Sequence, residues 1–230
     1  MASSTVENYL KQLYLEQRAA SDSRVIPTGR LAAAMGVVPG TATSMVKALA
    51  ASGLVEYESR AGVRLTIRGE QLALHVLRRH RLVELFLVKI LGLDWSVVHE
   101  EAEALEHAVS DRVIDSIDAL LGHPTADPHG DPIPSGQGHV DDTPRSSLAD
   151  CPLNKSQRVI RVLGQDPEFL RFVERQGLTP GATVTVESRE TAAQAVEIRV
   201  AKRAGASLGV VAAEKILVEP APHLSKAPRK

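Results

Sequence analysis

Residues 27–53 read PTGRLAAAMGVVPGTATSMVKALAASG, and this stretch decides the fold. Two short helical segments are separated by a glycine and a proline. Thr28 reads as the N-cap of the first. Gly36 suits the left-handed conformation that closes a helix. Pro39 has its φ preset for a new helix start. The second segment runs from Gly40 to Gly53, with Ala42, Met45, Val46 and Leu49 as its buried stripe. Thr41, Thr43, Ser44 and Lys47 lie off that stripe. Two short helices joined through a glycine-containing turn are the helix-turn-helix pattern. After them, residues 53–58 (GLVEYE) read as a strand, 59–62 (SRAG) as a tight turn and 63–66 (VRLT) as the returning strand. This wing carries Arg60 and Arg64, suited to phosphate contact. The second helix of such a unit enters the major groove of double-stranded DNA with its N-terminal residues over base edges. Small hydroxyl residues there allow close approach and reach either bases or phosphates. The candidate DNA-binding residues are therefore Thr28, Pro39, Gly40, Thr41, Thr43, Ser44, Lys47, Arg60 and Arg64. The bland alternative is a helical hairpin followed by a β-turn; turn, proline, glycine and wing falling in order argue against it.

Upstream, Val6, Tyr9, Leu10, Leu13 and Tyr14 recur at helical spacing. Downstream lie two groups of potential metal ligands. His80 and Glu84 are four apart and project from one helix face. Glu103, Glu106 and His107 stand at i, i+3 and i+4, again one face, and His99 precedes them. Carboxylate and imidazole on a helix face seat divalent ions, and hard oxygen donors without a thiolate favour Mn(II) or Fe(II) over softer ions. Solvated helices with i,i+4 charge pairs also carry such residues, so the density of the two groups is what favours metal. The following helix has Val113, Ile114, Ile117, Leu120 and Leu121 on one stripe, a core or a dimer face. Operator readers of this type are two-fold dimers, which favours a homodimer.

The chain of 230 residues allows two or three small domains. Its net charge of −1 means any basic surface is local. One cysteine, Cys151, excludes an internal disulfide framework and fits a reducing, cytoplasmic setting. The opening MASSTVENYL does not read as a signal peptide, and no apolar run approaches a membrane span. From residue 122, Pro, Gly, Asp and Ser dominate, the composition of a linker or overlying loop. The histidines at 123, 129 and 139 fall in that polar stretch and read as solvated. Beyond a short helix around 167–176, the segments 182–188, 195–200, 208–211 and 215–219 alternate in the strand sense and suggest a small β-barrel. The expected class is mainly α with a small β part. The expected division is a winged helix-turn-helix domain at 1–72, a dimerisation and metal-binding domain at 73–140, a linker at 141–156, a barrel at 157–222 and a disordered tail at 223–230.

Several of these stretches together resemble the diphtheria-toxin-repressor family of iron- and manganese-dependent regulators, in its long form with an SH3-like C-terminal domain. They are Val6-Glu-Asn-Tyr-Leu, the helix-turn-helix from Leu31 to Leu49, Leu65-Thr-Ile-Arg-Gly, Arg79-His-Arg-Leu-Val-Glu84, the run from Trp95 to His107, and residues 123–134, HPTADPHGDPIP. The resemblance implies a repressor of metal-uptake genes. It implies a regulatory metal site at Asn8, Glu103, Glu106 and His107. Iron-responsive members resemble one another in a cysteine at the place of Glu103, and manganese-responsive members have glutamate, so Glu103 favours Mn(II); an Fe(II)-responsive repressor is the alternative. Asn8 departs from the family, which has Asp or Met there; an amide oxygen ligates without charge or leaves the ion to its neighbours. Lys11 also departs from the short manganese regulators, which have Glu there, and an ammonium there opposes a second ion. An ancillary site is implied at His80, Glu84 and His99, completed by Gln165 and Glu168 of the barrel, with Asp166 as a neighbouring choice; its ion would staple the barrel to the helical body. A carboxylate–histidine metal hydrolase is the rival from another class, but it leaves the helix-turn-helix without a purpose.

Overall fold

In the computed structural model, which describes residues 3–20, 24–141, 143–201, 203 and 205–222, the chain forms two units. Helices α4 (Ile67–Lys89) and α5 (Val98–Leu105) contribute to both. Among the described residues no helix is long and apolar enough to cross a membrane. The expected tail at 223–230 lies outside the described residues.

The first unit comprises Met1–Val83, Glu103–Thr125 and Ile133–Val140. Its first helix, α1 (Ser4–Ala19), is capped by Ser3, whose side chain accepts from the Val6 backbone N–H. The apolar spacing read from the sequence becomes its buried face: Tyr9, Leu10, Leu13 and Tyr14. Against that face pack α2 (Thr28–Ala34) through Leu31 and Ala32, and α3 (Pro39–Ala51) through Ala42, Val46 and Leu49. Gly36 sits at φ +65°, and Val37 N–H bonds back to the Ala32 carbonyl at 3.0 Å, closing α2 as expected. Pro39 opens α3 in its first turn. Thr28 is not the N-cap: the Pro27 carbonyl already accepts from Arg30 and Leu31, so α2 is capped at Pro27 and Thr28 is its first helical residue. The wing is the antiparallel pair β1 (Val55–Glu58) and β2 (Gly62–Leu65), with Glu56 opposite Arg64. An isolated bridge from Ile26 to Val63 ties the wing's base to the chain ahead of α2. Helix α6 (Asp111–Leu120) buries Ile114 and Ile117, while Val113 and Leu120 are exposed.

The second unit comprises Glu84–Ala102, Ala126–Pro132 and Asp141–Lys230. Its six-stranded antiparallel sheet is built from β3 (Ser146–Ser147), β4 (Ser156–Val162), β5 (Thr183–Glu190), β6 (Ala195–Val200), β7 (Gly205–Gly209) and β8 (Ile216–Pro220), in the order β3-β8-β4-β5-β6-β7. This is the SH3-like module expected. Register shifts at Val159/Arg161 and Val186/Ser188 bend the sheet around one core, in which Val159, Val162, Val184, Val186, Val196, Ile198, Leu208, Ile216 and Val218 alternate inward. Helix α7 (Pro167–Gln176) covers that core with Leu170 and Val173, starts on an Asp166 cap and ends at Gly177 in the left-handed region. The stretch 141–156 is not a free linker: it carries β3, and Leu148 and Cys151 fill the core, so its polar composition reflects tight turns. The segment 208–211 is not one strand: β7 ends at Gly209 and α8 (Val210–Glu214) begins, with Ala213 buried in the core, Val210 packed against it and Val211 exposed.

Candidate metal centre and DNA-binding surface

Four buried polar residues of the first unit, Glu7, Lys11, His80 and Glu106, converge at one place. One face of α1 presents Glu7, Asn8 and Lys11, all within one helical turn. Opposite stand Glu103 on α5 and, just past its end, Glu106 and His107. The His107 ring is held between them: Nδ1 faces Glu7 Oε2 at 2.6 Å, and Nε2 faces Asn8 Oδ1 at 2.7 Å and Glu106 Oε1 at 3.2 Å. The Lys11 ammonium donates to Glu103 Oε1 and Glu106 Oε1, both at 2.7 Å. His80, from α4, meets Glu106 Oε2 at 2.6 Å. Burial works against ionisation of Glu106, which is 1% exposed, but the hydrogen bond and charge of His80 and the charge of Lys11 outweigh it and hold its carboxyl below the ordinary glutamate range.

All four residues expected at the regulatory site, Asn8, Glu103, Glu106 and His107, are thus brought to one cluster. Two further members, Glu7 and His80, were not assigned to it from the sequence. Helical spacing puts His80 with Glu84, and His80, Glu84 and His99 do each offer one ligand atom within 4.8 Å of the others; the His80 ring meets Glu106 as well. Glu7 gave a usable signal: it lies beside Asn8 and four residues before Lys11. The donor set of carboxylates, one amide and two imidazoles, without sulfur, suits a hard or borderline divalent ion, and His80, Glu103 and Glu106 each offer one ligand atom within 4.8 Å of the others.

A second cluster lies in the second unit. Glu84, Asp127 and His129, all buried, each place one ligand atom within 4.8 Å of the others. His99 Nδ1 stands 3.1 Å from Glu84 Oε1. His129 was read as solvated; it is fully buried, stacked on the Trp95 ring at 5.3 Å, with Nε2 at 2.8 Å from the Trp95 carbonyl. Asp127 and His129 are the donors that sequence reading missed, because polar composition describes a loop and not what closes over it. Gln165 is half-buried ahead of α7. Glu168 is exposed in that helix's first turn and joins no three-donor group among the described residues. Asp166 is spent as the α7 cap, accepting from Phe169 N–H at 2.8 Å. His123 and His139 are exposed as expected. Burial pushes the Cys151 thiol up, and it belongs to no candidate ligand group among the described residues.

On α3, Pro39, Gly40, Thr41, Ser44 and Lys47 are exposed and Thr43 is half-buried. Thr43 and Ser44 donate their hydroxyls to the carbonyls of Pro39 and Gly40, at 2.8 and 3.0 Å, which leaves oxygen lone pairs to accept from outside. In the wing, Arg60 occupies the turn at φ +70° and is exposed. Arg64 is held across the hairpin, Nε donating to Glu56 Oε2 at 2.7 Å. Thr28 is half-buried at the start of α2.

Three family models cover most of the chain: the iron-dependent repressor N-terminal DNA-binding domain matches residues 1–63, its metal-binding and dimerisation domain 66–135, and the FeoA domain 146–220. The chain is 32% identical over 197 residues to the iron-dependent repressor IdeR of Mycobacterium tuberculosis, covering 80% of this chain and 84% of that protein. To the diphtheria toxin repressor of Corynebacterium glutamicum it is 32% identical over 194 residues, covering 79% and 83%. Among solved structures, a manganese-dependent transcriptional repressor in complex with manganese superposes with a TM-score of 0.84 at 38% identity, over 94% of this chain and all of that one. These matches extend across DNA-binding, metal-binding and C-terminal modules alike, and the chain belongs to the diphtheria-toxin-repressor family of metal-dependent transcriptional repressors, DNA-binding regulators and not enzymes.

Proposed function

We propose that this protein represses metal-uptake genes when Mn(II) fills the cluster of Asn8, Glu103, Glu106 and His107. The observation that carries this reading is Glu103: a carboxylate, not a thiolate, bonded at 2.7 Å into the same polar cluster as Glu106. A bound divalent ion supplies positive charge that offsets the mutual repulsion of these carboxylates. Asn8 and Glu7 belong to α1, whose other face packs on α2 and α3 through Leu10 and Leu13. Tying α1 to the 103–107 segment therefore restrains the whole helix-turn-helix body. In a homodimer, with the exposed Val113 and Leu120 of α6 as its apolar contact, that restraint fixes the separation of the two α3 helices. Groove-compatible spacing of about 34 Å then becomes the populated state. Metal and DNA affinities are coupled reciprocally. The Glu84, Asp127, His129 and His99 cluster is the ancillary site in this reading.

An Fe(II)-responsive repressor is the second reading, favoured by the likeness to a relative named as iron-dependent. Titrating the metal-free protein with Mn(II), and separately with anaerobic Fe(II), while following binding to promoter DNA upstream of metal-transporter genes, separates the two. Binding that appears at micromolar Mn(II) and not at comparable Fe(II) supports the Glu103 argument. A response to Fe(II) alone overturns it.

Lys47, exposed one turn beyond Thr43 on α3, is expected to contact phosphate. Lys47→Ala should weaken binding by a similar factor for every operator sequence and lower the slope of log affinity against log salt by about one per subunit, about two for the homodimer. A base-specific loss with an unchanged slope would instead place Lys47 over a base edge.

A further inference from the structure

Lys11 is a cation that bridges Glu103 and Glu106 inside the donor cluster, and its placement has a cost. An ammonium taken out of water must be paired. Lys11 is 5% exposed, and its Nζ sits 2.7 Å from both Glu103 Oε1 and Glu106 Oε1. These are carboxylates an incoming ion needs, and Glu106 Oε1 is also the atom that faces His107 Nε2 at 3.2 Å. The α-helix fixes the arrangement, because Lys11 stands three residues after Asn8 and projects from the same face of α1.

We infer that Lys11 is an internal counter-cation: it holds the two carboxylates when no metal is bound and gives them up when an ion enters. Metal uptake is then an exchange of one cation for another, and Lys11 sets the metal concentration at which the site fills. The flexible four-carbon stem of lysine lets the ammonium withdraw without moving the backbone, whereas a rigid guanidinium fork or a fixed ion cannot retreat as easily. The stabilisation that Lys11 gives belongs to the metal-free state alone. It therefore subtracts from the gain on binding metal, as any interaction present only in the competing state must. This inference rests on the reading of Asn8, Glu103, Glu106 and His107 as a metal site.

The test is direct Mn(II) affinity of the full-length protein, measured without DNA by competition with a metallochromic chelator, for wild type, Lys11→Leu, Lys11→Gln and Lys11→Arg. Lys11→Leu removes charge and brings no donor atom, and it is expected to bind Mn(II) roughly tenfold or more tightly than wild type, the size of one charged hydrogen bond no longer broken on binding. Lys11→Arg keeps the charge and should show no such gain. The metal-free Lys11→Leu protein should also melt below metal-free wild type, and saturating Mn(II) should close that gap. If Lys11→Leu does not fold, Lys11→Gln keeps hydrogen-bond donors for both carboxylates without the charge and carries the same expectation of tighter binding. Affinity that is unchanged or weaker in the neutral variants overturns the inference while leaving the metal site in place. Wild-type protein that takes up neither Mn(II) nor Fe(II) overturns the site and the inference together.

Discussion

Replacing Glu103 and Glu106 together by glutamine is expected to lower Mn(II) affinity by at least about 100-fold, since even the residues that merely orient metal ligands are worth 10–100-fold. Operator binding in this variant should no longer respond to metal. Glutamine is the informative substitution, not alanine. Glu106 is 1% exposed and is the buried partner of both Lys11 and His80. Alanine at both positions would strip Lys11 of the two carboxylates it bridges, and stripping one member from a buried ion pair costs about 3–5 kcal/mol, so a misfolded protein would mimic a lost ligand. Glutamine keeps the volume and an accepting oxygen and removes only charge. Glu100→Gln with Glu101→Gln is the control: both are exposed on the first turn of α5, and the pair changes the charge of the chain by the same amount. The control should bind metal and operator like wild type. Metal-dependent operator binding retained in the Glu103/Glu106 variant would sink the site assignment. The variant has a second signature. Because the Glu106 carboxyl is held below the ordinary glutamate range, its ion pairs stabilise the metal-free fold above that range and are lost as pH falls through the lowered value. Metal-free wild type should therefore lose stability on acidification more steeply than the glutamine variant, read as Tm against pH.

Which parts of this molecule could be read from its sequence follows from the range of the forces involved. Gly36, Pro39 and the α7 segment Pro167–Gln176 were placed correctly because backbone conformational limits act over a few residues and are written locally. The i, i+3, i+4 spacing of Glu103, Glu106 and His107 groups them correctly, although α5 ends at Leu105 and the last two stand in the turn that follows it. Thr28 was misjudged by one residue because cap identity depends on which carbonyl accepts first, and Pro27 does so. The strand β4 was passed over between a polar stretch and α7, and the segment 208–211 split into β7 and α8, since a short apolar run does not say by itself which element it joins. The larger misses are long-range. Nothing near His129 in the sequence shows that the Trp95 ring stacks on it or that it sits beside Glu84, forty-five positions earlier. Nor does spacing show that His80 turns to Glu106, or that Lys11 bridges Glu103 and Glu106 across ninety-two and ninety-five residues. Those pairings exist only after the helices pack.

Gly130→Ala is expected to destabilise the protein by about 3 kcal/mol or more and to disable the Glu84, Asp127 and His129 cluster, through two costs that act on the same residue. Gly130 sits at φ +86°, in the region that side chains with a Cβ rarely adopt. A Cβ there would also lie 1.9 Å from the Ile160 carbonyl oxygen and 2.7 Å from Arg161 Cα, backbone atoms of β4 that cannot rotate away as a side-chain tip can. Relief requires the 126–132 loop to lift from β4, and the loop's bonds would be lost together. Val162 N–H donates to the His129 carbonyl at 2.8 Å, and Asp127 Oδ1 accepts from the backbone N–H groups of His129 and Asp131 at 2.8 and 2.9 Å. These bonds hold Asp127 and His129 against Glu84, so the substitution should act on the cluster without touching a donor atom. For a chain of this size such a loss lowers Tm by roughly 6–12 °C. Gly136→Ala is the matched control in the same glycine- and proline-rich stretch, since a Cβ there meets nothing within 4 Å, and it should melt within a degree or two of wild type. The two measurements that check this are the melting temperature and the number of Mn(II) ions bound per chain. A Gly130→Ala protein with wild-type Tm would show that the loop yields without cost, and the close approach to Ile160 would then not be what seats His129.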